Sequence, residues 1–288
     1  MPQQPIRPAA VAGSWYPGTA EALSRAVRGY LDLAPTSAGG EVRAVIAPHA
    51  GLAYSGPVGA FAYATLAGRS YDAAVIVGPS HYVAFDGVAV YPRGAFATPL
   101  GPVAIAEAEA EALLRASPRV REVPGAHARE HSLEMQLPFL VSVLPGTPIV
   151  PLIMGRQTRE TIADLGHALG TAFADRNVLF IASSDLSHYH DAETAARLDG
   201  RVLDFIERFD ADGLLDALER VPDHACGGGP VVSVMLAARA LGARRARVLR
   251  YADSGDVSGD KSAVVGYVAA ALGTFEQVND HDIDIDGR

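Results

Sequence analysis

The stretch "VRAVIAPHAGLAYSG" (42–56) runs from an apolar segment into a proline, a histidine and a glycine. A short, nearly continuous apolar run suits a strand covered on both faces, as in a parallel sheet, rather than one alternating between core and water. His49 then stands just past the strand's carboxyl end. The same order recurs at "YDAAVIVGPSHY" (71–82), where Gly78 closes the run and His81 follows. It recurs again at "NVLFIASSDLSHYH" (177–190), which delivers Asp185, His188 and His190. The apolar runs themselves are 42–47, 73–77, 148–153 and 178–182.

Helix-like segments fill the intervals at 57–67, 106–116, 131–144, 158–174 and 230–241. An amphipathic helix is predicted over 19–33, capped by Thr19, with Leu23 and Val27 in its apolar stripe. The interval from His49 to His81 is that of one strand–helix–strand unit. Residues 86–105 read as a hairpin, and 246–252 and 262–272 as two late strands. This alternation predicts an α/β fold with helices on both faces of a mainly parallel or mixed sheet. One domain is expected over 1–275, followed by a flexible acidic tail at 276–288 in which His281 and the aspartates are solvated.

The chain has 288 residues, 49% hydrophobic, and carries a net charge of −9. That charge gives no electrostatic footprint for nucleic acid. Cys226 is the one cysteine, so no intrachain disulfide forms and a reducing cytosol is the expected compartment. The amino terminus lacks a signal-peptide pattern, and no run approaches the roughly 20 apolar residues that span a bilayer. A cytoplasmic protein with neither nucleic-acid nor membrane partners is the expectation. Homodimerisation is carried forward with no motif behind it.

In open α/β sheets, ligands bind beyond the carboxyl ends of the strands, where loops converge on a rigid support. His49, His81 and the Asp185/His188 pair leave strand ends in one chain direction, so their side chains are expected to meet. Two histidines and one anionic ligand suit non-haem Fe(II); a thiolate shifts the preference toward Cu(I) or Zn. Cys226 lies in "HACGGGPVVSVMLAARAL" (224–241), just before a predicted helix whose amino terminus favours thiolate. Asp185 and His188 would orient ligands or move a proton.

Two other chemistries fit the same residues. The pocket could recognise a peptide or small anion without turnover, the glycines of "CGGGP" offering backbone N–H groups to an anion. Cys226 could instead be a hydrolase nucleophile with His188 or His81 as base. In "EHSLEMQLPFL" (130–140), Glu130, His131, Ser132 and Glu134 crowd a predicted helix start. The helix dipole alone accounts for the two acids there, leaving the roles of Glu130 and His131 open. His127 and His190 are expected at the surface, His167 on a helix without a partner, and His224 in a solvent-exposed loop. Trp15 and Tyr16 are expected to pack on the first helix.

Taken together, "GSWYP" (13–17), "IAPHAG" (46–51), "GPSH" (78–81), "EHSLEMQLPFL", "SSDLSHY" (183–189), "CGGGP" (226–230) and "YADSGD" (251–256) resemble the Memo-like family. In bacteria and archaea its members are often called AmmeMemoRadiSam system protein B. The resemblance covers roughly residues 7–273 and implies a three-layer α/β/α fold similar to class III extradiol dioxygenases of the LigB type. It implies iron or copper at His49, His81 and Cys226, with Asp185 and His188 in the same pocket. Cys226 then stands where the dioxygenases have glutamate, which sets redox or dioxygenase-like chemistry here apart from ring cleavage. A small-molecule or peptide partner follows from the resemblance, as does a pathway shared with radical-SAM and AMMECR-type proteins.

Overall fold

The computed structural model describes residues 5–35, 39–221 and 224–275. The chain opens with β1 (Ile6–Arg7), α1 (Ala20–Leu31), β2 (Gly40–Ala47), α2 (Leu52–Ala64) and β3 (Ala73–Pro79). It continues through β4 (Val88–Val90), β5 (Ala95–Phe96), β6 (Val103–Ala104), α3 (Glu107–Ala116), β7 (Val120–Arg121) and α4 (Leu137–Val143). Next come β8 (Ile149–Met154), α5 (Arg159–Ala172), β9 (Val178–Ser183), β10 (His188–His190), α6 (Ala192–Glu207) and α7 (Ala211–Arg220). It closes with α8 (Gly228–Ala240), β11 (Arg245–Asp253), α9 (Gly255–Ser258) and β12 (Val264–Phe275).

Among the described residues, a nine-stranded mixed sheet runs β10-β12-β2-β9-β3-β8-β4-β7, with β11 paired to β12. The four apolar runs are its centre: β2, β9, β3 and β8 lie side by side and parallel. Their residues divide strictly between two cores. Ala44, Ile46, Val75, Val77, Phe180 and Ala182 face the layer of α3 and α5–α8. Val45, Ala47, Ala74, Ile76, Leu179 and Ile181 face the layer of α1, α2 and α4. Burial on both faces explains why these strands read as continuous apolar runs. The result is a three-layer α/β/α arrangement whose parallel core is closed by antiparallel β4 and β12.

Several boundaries differ from expectation. α2 starts at Leu52 and carries Pro57 within it, because Leu52 and Ser55 are buried and that packing outweighs the proline penalty. In place of a helix over 131–144 there is a single 3₁₀ turn, Glu134–Gln136, then α4, with Pro138 in its first turn. The hairpin is confined to β5–β6, which joins β1 in a small separate sheet, while β4 pairs with β8. α6, α7 and the short α9 add three helices beyond the expected set. Thr19 caps α1 as expected, accepting from the Ala22 N–H. No helix of the described residues is long and apolar enough to cross a membrane. The acidic tail and His281 lie outside the described residues.

Candidate metal centre

The loops after β2, β3 and β9 carry His49, His81 and Asp185, and β9 sits between the other two strands. Cys226 arrives from the turn before α8, drawn in by a hydrogen bond from its N–H to the Asp185 carbonyl, 3.2 Å. Gly227 allows this approach, since a Cβ there would lie 2.4 Å from the Ser183 carbonyl. The ligand atoms of His49, His81 and Cys226 fall within 4.8 Å of one another, and Cys226 Sγ is 3.3 Å from His49 Nε2.

The tautomer of each imidazole follows from its hydrogen bonds. Ser183 gives its one hydroxyl proton to the Ser132 carbonyl, 2.6 Å, and receives from Gln136 Nε2, 2.8 Å. At 2.9 Å from His49 Nδ1 it can therefore only accept, so His49 carries its proton on Nδ1. Gln136 is itself fixed, donating to the Pro48 carbonyl and accepting from the Tyr63 hydroxyl. His81 Nδ1 lies 2.8 Å from Glu130 Oε1. Burial opposes ionisation of Glu130, but bonds from the His81 ring, the His81 N–H and the Ser132 N–H hold it at about 2. An ionised carboxylate only accepts, so His81 also bears its proton on Nδ1. His49 thus presents its Nε2 lone pair to the sulfur, and His81, engaged by Glu130 through Nδ1, has Nε2 left for a ligand. Donors with an open lone pair, each backed by an acceptor, are the arrangement a metal ion needs.

His81, Glu130 and His131 form a second close group. The Glu130 carboxylate is already engaged by the His81 ring and by the N–H groups of His81, His131 and Ser132. It therefore acts as the outer layer of the first cluster. The His131 ring stacks on His81 at 4.5 Å and meets Trp15 at 4.3 Å. Burial lowers His131 to about 4.

Asp185 Oδ1 accepts from the N–H of His49, 2.8 Å, and of Ala50, 3.3 Å. Burial raises this carboxyl to about 7 against the pull of those bonds. His188, on β10 opposite Val265, is half-buried and lowered by burial. Burial, followed by the neighbouring His81, His131 and His188, holds His49 well below the imidazole range, and burial raises the Cys226 thiol.

The helix dipole does not explain Glu130 and Glu134, since the α-helix begins only at Leu137. Glu134 instead clamps residues 7–16. It pairs with Arg7, accepts from the N–H groups of Ala10 and Val11, and takes the Tyr16 hydroxyl at 2.7 Å. Tyr16 therefore faces Glu134, while the Trp15 ring meets His131 at a tilt of 49° in the site. His190 is half-buried and His167 exposed. His224, at 3% exposure, is buried because the turn holding Cys226 folds inward.

His127 is buried too, at 5% exposure, packed on Tyr91 and Phe96 with Nε2 facing the Ala89 carbonyl. Desolvation lowers it to about 3. An unfolded histidine takes up its proton near pH 6.5 and the folded one only near 3. Its contribution is therefore present above 6.5 and is lost as pH falls through that window, at roughly 1.4 kcal/mol per pH unit. Urea unfolding between about pH 7 and about pH 4 should show a flatter profile for His127→Phe than for wild type.

A mixed α/β protein with two histidines and a cysteine converging at the carboxyl ends of parallel strands is the class that fold and site define. A family model described as "Memo-like protein" matches residues 7–271, and the chain belongs to that family. A MEMO1 family protein of Methanothermobacter thermautotrophicus is 39% identical over 272 residues, covering 91% of this chain and 98% of the relative. One from Methanopyrus kandleri is 39% identical over 275 residues, covering 91% and 97%. An uncharacterized protein of Escherichia coli K12 aligns structurally with a TM-score of 0.48 and 14% identity, over 71% of this chain and 86% of that one.

Proposed function

We propose that this protein binds one metal ion through His49 Nε2, His81 Nε2 and Cys226 Sγ and uses it for redox or dioxygenase-like chemistry on a small molecule or peptide. Fe(II) is the leading ion, and the thiolate also admits Cu(I) or Zn. The observation that carries this reading is the approach of the three ligand atoms to within 4.8 Å, with each Nδ1 engaged by an acceptor and His49 Nε2 3.3 Å from the sulfur. When bound, such an ion would supply electron transfer or activation of a ligand at its open positions.

The chain's own residues do the rest. Ser183 and Glu130 hold the imidazoles in orientation. Asp185 pins the main chain at His49 and, at about 7, holds a proton near neutral pH. His188, kept neutral by burial, is placed to accept a proton beside the cluster.

The alternatives draw less support. The N–H groups of Gly227, Gly228 and Gly229 are taken by Ser184 Oγ, the Ala225 carbonyl and Gln157 Oε1, leaving little for an anion. A Cys226 nucleophile would need a thiolate–imidazolium pair with its neighbour, yet burial drives both groups toward their neutral forms.

Oxygen-free purification followed by metal analysis tests the proposal. Wild type should retain roughly one equivalent of metal and His49→Ala less than about a tenth of that. Equal content in the two proteins would end it.

A further inference from the structure

Two hollows of about 320 and 310 Å³ adjoin on the face made by the end of α6, the end of α7 and the start of β11, sharing Arg208. Arg201, Arg208, Arg220, Arg244, Arg245 and Arg247 line them, against the carboxylates of Asp204 and Glu207. Asp204 is drawn to Arg208 at 3.7 Å, and Glu207 accepts the Val248 N–H. The side chains of Arg201, Arg220, Arg244 and Arg245 make no ion pair among the described residues. In a chain of net charge −9, such a concentration of arginine selects an anion locally.

Aromatic rings accompany the charge. Phe205 lines one hollow beneath the Arg208 guanidinium, 5.1 Å from its ring centre, and Phe209 lines the other. Phe209 has φ 55°. It occupies the turn that ends α6, where the Asp210 N–H bonds back to the Phe205 carbonyl and the Phe209 N–H to that of Ile206. That closing motif uses glycine by default, since a bulky residue at positive φ is strained. Here the chain tolerates the strain and keeps a half-buried ring in the wall of the hollow that Arg244 and Arg245 line.

We infer that this groove binds a nucleoside polyphosphate, its phosphates on the arginines and its base on Phe209. Guanidinium forks match phosphate oxygens, and any base can stack on an aromatic face. The volumes suit a small ligand. Long polyanions are disfavoured by the net charge of the whole chain.

Calorimetric titration of the full chain with ATP and with inorganic tripolyphosphate, no divalent cation added, tests the assignment. ATP should bind roughly tenfold tighter than tripolyphosphate, as expected for one stacked base. The double variant Arg220→Ser/Arg244→Ser should weaken both ligands by about tenfold or more. Phe209→Gly, which relieves the positive φ, should remove the advantage of ATP and leave tripolyphosphate unchanged. His49→Ala should bind ATP like wild type, separating this groove from the metal centre. ATP binding no tighter than tripolyphosphate, indifferent to the arginine pair, or lost in His49→Ala would overturn the inference.

Discussion

Glu134→Ala is expected to lower the free energy of unfolding by about 3–5 kcal/mol, because it strands a buried guanidinium. Arg7 is 3% exposed and Glu134 is fully buried, and the same carboxylate receives two N–H groups and the Tyr16 hydroxyl. Water cannot replace those bonds without opening the interface between residues 7–16 and the 130–136 segment. For a chain of this size the loss corresponds to a fall in Tm of roughly 6–20 °C. Trp15 is the single tryptophan, and it rests on His131, so its emission should shift to the red as the segment loosens. Tyr16→Phe removes one bond of the network and should cost only about 1 kcal/mol. Arg7→Met combined with Glu134→Leu should recover part of the loss, since no buried charge is then left without a partner. A change below about 1 kcal/mol in Glu134→Ala would show that the clamp does not hold the segment.

The second large effect concerns the groups behind the imidazoles. Glu130→Ala and Ser183→Ala should each weaken metal binding by about 10–100-fold with the fold intact. Without Glu130, His81 loses the carboxylate that keeps its proton on Nδ1, and its ring is free to turn or to change tautomer. Without Ser183, His49 loses its acceptor, and the Gln136 amide and Ser132 carbonyl lose a partner in the same stroke. Competitive titration against a chelator of known affinity reads the change, and far-ultraviolet circular dichroism checks the fold. Affinities within about twofold of wild type for both variants would remove the basis for assigning the Nε2 atoms as donors.

Burial on both faces made the centre of the sheet legible. The 73–77 and 178–182 runs have little room for polar residues because helices cover them above and below. Element ends were less legible. Pro57 reads as a helix start, yet the burial of Leu52 and Ser55 carries α2 through it. His127 and His224 read as surface groups, and both are buried by neighbours remote in sequence. The partnership of Glu130 with His81 spans 49 residues, so no local pattern could separate it from an ordinary helix-start acid.

The order of apolar runs and the residues that follow them determined the α/β class and nominated His49, His81, Asp185 and Cys226, because strand ends and turn glycines are local chemistry. Which proton each imidazole carries, what Glu134 holds, and that Cys226 meets His49 across 177 residues were decided only in the tertiary structure. Those facts depend on acceptors delivered by distant segments, and the direction of a hydrogen bond is set by what stands on its far side.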